Sequence, residues 1–92
     1  MSGPRGPYGT EDEAIADPAV QAIYAAMRAS RDYRMQDGSA AMILAACEEA
    51  GVELGAYDAR IVRWVAGFEP QAAAVIAGLI ARAAVGKPGG AA

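Results

Sequence analysis

Residues 57 to 85 constrain the fold most, because they read as two helices meeting at the tight corner Gly67-Phe68-Glu69-Pro70. Beyond the corner, Val75, Ile76, Leu79, Ile80 and Ala83 recur at i, i+1, i+4, i+5 and i+8, the spacing of one apolar helical face. Before it, Ile61, Val62 and Val65 supply an answering face, with Trp64 at its edge. The spacing predicts a crossed or antiparallel hairpin, with the upstream chain packed across it. A structured part of about 75 residues buries only ~60–65% of the surface its unfolded chain exposes. A core of that size leaves roughly 3–5 kcal/mol of net stability, so a partner or a second copy would matter to folding.

Upstream, residues 1–9 hold three glycines and two prolines without an apolar period, and read as a disordered lead-in. Thr10-Glu11-Asp12-Glu13 matches a capping box and opens a short turn of helix through Ala16. Asp17-Pro18 is a stronger start, an N-cap followed by proline where no amide is needed. The helix it opens is predicted to run to about Arg31, at most to Met35, with Val20, Ile23, Tyr24 and Met27 facing inward. Asp37-Gly38-Ser39 reads as a stop and restart, and a second helix follows over residues 40–50 with Met42, Ile43, Ala46 and Cys47 inward. Gly51 closes it, placing Val52 as the apolar residue of a Schellman motif against Cys47. The last two helices are expected over residues 56–66 and from Pro70 to Val85, and Gly86 begins a flexible tail, 86–92. No stretch alternates like a strand. The predicted fold is all-α, a small three- to four-helix bundle in one domain, residues 10–85, with disordered termini.

Composition narrows the chemistry. There is no histidine, which removes the commonest general base and metal ligand. No nucleophile motif, phosphate-cradling glycine loop or paired cysteine occurs, so no catalytic residue, cofactor or metal is expected. Glu48, Glu49 and Glu53 read as a solvated helix end, since adjacent helical residues do not face one another. The single Cys47 lies on an apolar stripe and excludes an internal disulfide; a reducing compartment, the cytoplasm, is expected. A net charge of −3 gives no general attraction to nucleic acid or anionic membrane. No apolar run reaches the ~18 residues of a membrane span.

Two surfaces remain as candidates. Ala73, Ala77 and Ala81 recur every four residues, with Ala74 and Gly78 in the adjoining row, so the last helix is apolar around much of its circumference. Small residues let another helix approach closely. Either this helix is the centre of the bundle, or Ala73, Ala77, Gly78 and Ala81, with Trp64 as anchor, meet another chain. Arg28, Arg31 and Arg34 recur every three residues, and Arg60 and Arg63 form a second pair. On continuous helices these five would form a surface for phosphates, and the corner after residue 66 gives a helix-turn-helix outline. Against that, Gln71, Ala73, Ala74 and Ala77 on the would-be recognition helix offer little to bases, and Asp32, Asp37 and Asp58 lie among the arginines.

The run Val52-Glu-Leu-Gly-Ala-Tyr-Asp-Ala-Arg-Ile-Val-Arg-Trp-Val-Ala-Gly-Phe-Glu-Pro, continuing into Ala74-Val-Ile-Ala-Gly-Leu-Ile-Ala-Arg, resembles a stretch of short uncharacterised actinobacterial proteins. It covers about the C-terminal 35 residues and carries no activity with it. The same source is suggested by seven arginines against one lysine and by the excess of alanine and glycine, a pattern of GC-rich coding in bacteria. The expected function is a small non-enzymatic protein–protein interaction module that self-associates through the last helix as a homodimer. The alternative is a small DNA-associated regulator using the arginines.

Overall fold

The computed structural model describes residues 5–86, which form five helices and, among them, no strand. They are α1 (Glu11–Ile15), α2 (Pro18–Ala29), α3 (Met35–Glu49), α4 (Ala56–Val65) and α5 (Pro70–Gly86). The all-α bundle is as expected. Of the expected tail, 86–92, Gly86 is the last residue of α5, and residues 87–92 lie outside the described part, as do the first four residues.

Local chemistry sets most boundaries. The Thr10 hydroxyl accepts the Glu13 amide at 3.2 Å, and the Glu13 carboxylate accepts the Gly9 amide at 3.0 Å, a capping box whose return arm reaches one residue further back. Asp17 caps α2 by accepting the Ala19 amide at 2.8 Å, with Pro18 in the first turn. At the end of α3, Gly51 takes a positive φ of 76°. Its amide reaches Glu48 O at 3.1 Å while Val52 N reaches Cys47 O at 2.8 Å, the two bonds of a Schellman motif. The Gly55 amide donates to the Asp58 carboxylate at 3.0 Å as α4 begins.

One boundary differs from expectation. α2 stops at Ala29, residues 30–34 form a link, and α3 starts at Met35, so Asp37-Gly38-Ser39 lies inside a helix instead of between two. Gly38 serves a packing need. A Cβ there would fall 2.1 Å from the Tyr33 hydroxyl and 3.2 Å from Ile23. The link must fold back under the helix, and only glycine leaves room.

α3 and α5 are the central pair; α2 lies against both, α1 against α5 and α2, and α4 against α3. α4 therefore does not fold back on α5 as a hairpin. Two helix layers with axes 8–10 Å apart span about 13–15 Å of Cα thickness, and the molecule measures 16 Å along its shortest axis. With no third layer, the helices keep open sides. Ile43, Ala46 and Cys47 of α3 meet Ala73 and Ala77 of α5 in the core, flanked by Met42, Leu54, Val62, Ile76 and Ile80. Gln71 is the buried polar tie: the Tyr24 hydroxyl donates to its Oε1 at 2.7 Å, and its Nε2 donates to Glu11 at 3.1 Å. Both ends of the amide are satisfied, as burial requires.

Candidate functional site

Of the two placements open to α5, it takes the centre of the bundle, with its small-residue ridge as its most buried part. The small ridge Ala73, Ala74, Ala77, Gly78 and Ala81 is buried within the chain, while Val75 and Leu79 are exposed and Ile76 and Ile80 half-buried. Alanines in the contact let α3 and α5 pack closely, and the larger branched residues are left at the rim. Ala73, Ala77, Gly78 and Ala81 therefore form no free surface for another chain, and Gln71, Ala73, Ala74 and Ala77 are not exposed. Ala77 belongs to the core.

Gly78 meets an element the sequence conceals. Residues 5–9, read as lead-in, lie as a strap over α5, and a Cβ on Gly78 would come within 2.6 Å of the Arg5 carbonyl oxygen. The Arg5 amide donates to Asp17 at 3.0 Å, and the Tyr8 hydroxyl donates to the same carboxylate oxygen. The Arg5 guanidinium grips Glu49 bidentately at 2.7 and 2.9 Å. Burial pushes the Asp17 carboxyl up, but hydrogen bonds from Tyr8, Arg5 and Ala19 outweigh it and hold it below the usual range. Burial and the bond to Asp17 push the Tyr8 hydroxyl up to about 12. The bond from Arg5 holds the Glu49 carboxyl low. The strap roofs a cavity of about 310 Å³ among α2, α3 and α5, lined mainly by Pro18, Met42 and alanines.

The arginines are dispersed over different elements. Arg28 lies in the last turn of α2, whereas Arg31 and Arg34 lie in the link, so their spacing of three does not trace one helix. Arg63 is paired with Asp37, and Arg60 lies 5.9 Å from the centre of the Tyr57 ring. The helix-turn-helix outline also lacks its geometry, because α5 is the most enclosed helix and α4 packs on α3.

Trp64 does remain at the surface, in company the sequence reading overlooked. Tyr57, Ile61, Trp64 and Phe68 are 68%, 39%, 62% and 60% exposed; the spacing of four and three puts Tyr57, Ile61 and Trp64 on one face of α4. Tyr57, Arg60, Ile61 and Trp64 line a shallow depression of about 440 Å³. Phe68 lies just past α4, in turns from Gly67 N to Trp64 O and from Phe68 N to Val65 O, each 3.1 Å. Its ring stands edge-on to Trp64, centroids 5.1 Å apart. Val62 holds the opposite face of α4 against the core. The Gln36 amide donates to Arg63 O at 2.6 Å and, with the Arg63–Asp37 pair, ties the end of α4 to the start of α3. The aromatic stripe is thus presented outward on an anchored helix. Among the described residues no helix is long and apolar enough to cross a membrane. No family model, curated protein or solved structure matches the chain.

Proposed function

We propose that this chain is a small non-enzymatic protein–protein interaction module that self-associates. One observation carries the reading: the fold spends its alanines on the core and leaves three of its largest side chains, Tyr57, Trp64 and Phe68, open to water on one face. Contiguous exposed apolar surface marks interaction sites in small proteins, and aromatic residues with arginine are the types enriched at such interfaces. Self-association is the simplest form, because a two-fold pair needs a single self-complementary patch. The buried, unpaired Cys47 suits a reducing compartment such as the cytoplasm.

Light scattering on a sizing column, over a hundredfold range of concentration and with or without a short random DNA duplex, tests this. The expected result is a mass that rises from monomer toward dimer with concentration and ignores the duplex. A monomer throughout that shifts with DNA only at low salt would replace this reading with the DNA-associated one.

A further inference from the structure

We infer that the partner at the α4 stripe is the same stripe of a second copy, packed antiparallel about a two-fold axis between Ile61 and Trp64. This rests on the self-association reading and names its surface and geometry.

The spacing of the stripe is symmetric. Positions 57, 61, 64 and 68 are separated by four, three and four residues, so the series reads the same in either direction. That alternation is the seam spacing of a two-helix coiled coil, in which each knob enters a hole on the facing helix; Tyr57, Ile61 and Trp64 lie on α4 itself, and Phe68, in the turn three residues past its end, stands edge-on against Trp64. An antiparallel two-fold pair sets Tyr57 against Phe68 of the second copy and Ile61 against Trp64. Each contact then joins a pair of different side chains, and no aromatic has to face its own image across the axis.

The flanks agree. Arg60 borders the stripe on one side and would face Gly67 of the second copy; Asp58 borders the other and would face Val65. No like charges are opposed. Arg63 is already turned toward Asp37 and away from the seam. Each aromatic buries about 150–250 Å² when fully covered, so at the observed exposures the four side chains offer roughly 400–500 Å² per copy. With Arg60 and the neighbouring backbone, two copies approach the lower bound of about 1,200 Å² for a specific interface. The open part of α5, Val75 and Leu79, is the competing surface, and it supplies no aromatic anchor.

Two exposed positions separate the surfaces. Trp64→Glu is expected to remain monomeric over the range where the parent dimerises, with circular dichroism showing unchanged helicity. Leu79→Glu is expected to dimerise as the parent does. A Leu79→Glu monomer beside a Trp64→Glu dimer would overturn the α4 pairing while leaving self-association standing. A parent that stays monomeric would overturn both. Orientation is read by mixing Tyr57→Cys and Phe68→Cys chains under mild oxidant, with Cys47 buried and out of reach. Cross-linked heterodimers are expected; homodimers of either variant alone would indicate parallel pairing and contradict the two-fold arrangement described.

Discussion

Gly38 and Gly51 show how differently one residue type can be used. Gly51 supplies a positive φ at the end of α3, and its role follows from the sequence because an apolar residue comes next and a helix precedes it. Gly38 supplies empty space for the Tyr33 hydroxyl. Nothing local distinguishes a glycine that ends a helix from one that makes room for a side chain five residues earlier. On an exposed helix, glycine to alanine would gain roughly 1 kcal/mol. Here Gly38→Ala is expected to lower the melting temperature, because the added methyl must displace Tyr33. In a Tyr33→Phe background, which removes the clashing oxygen, the same substitution should cost less. Equal losses in both backgrounds, followed by thermal melts, would refute the close-approach account.

Among the elements, the strap and α5 were least legible. Val75, Ile76, Leu79 and Ile80 carry the clear apolar period, but a period reveals that a face is apolar without revealing which apolar face is covered. The answer depends on how many helices crowd around α5. With α1, α2 and α3 all against it, close approach favours the alanine ridge. The strap is invisible because Arg5, Tyr8 and Asp17 meet only after α2 is in place, and a glycine- and proline-rich lead-in looks unstructured. Its chemistry has a pH signature. Tyr8 is held neutral up to about 12, above the unfolded value of about 10. Its contribution is fully present below pH 10 and is lost as pH rises through 12. Asp17 is held low, so its contribution is present above an unfolded value of about 3.9 and is lost as pH falls through its folded value. Thermal stability should therefore fall at both extremes. Tyr8→Phe should flatten the alkaline decline relative to its own value at pH 8. An unchanged alkaline slope would show that the strap does not hold the hydroxyl.

At the scale of the whole molecule, the all-α bundle, its element order and most helix starts were legible from caps, prolines and apolar spacing. Trp64 was legible as lying at the edge of the apolar face, but the exposed stripe around it was not. Ile61 lies on the boundary of the inward face, and Phe68 sits in the corner beyond the helix, so neither signals a surface by itself. Their common exposure follows from architecture. A molecule two helix layers thick has too few helices to cover both sides of α4. In the proposed pairing, a second copy would cover that side and offset the small core of a short chain.

The chain reports on that face directly, because its single tryptophan is Trp64, which is 62% exposed in the monomer. Its fluorescence emission, followed on dilution alongside the molar mass, tests the proposed pairing most directly. The expected result is emission at shorter wavelength in concentrated solution, moving to that of solvent-exposed tryptophan as the mass falls to monomer, the two curves superimposing. Emission characteristic of exposed tryptophan at every concentration, while the mass doubles, would contradict the pairing and move the interface elsewhere on the molecule.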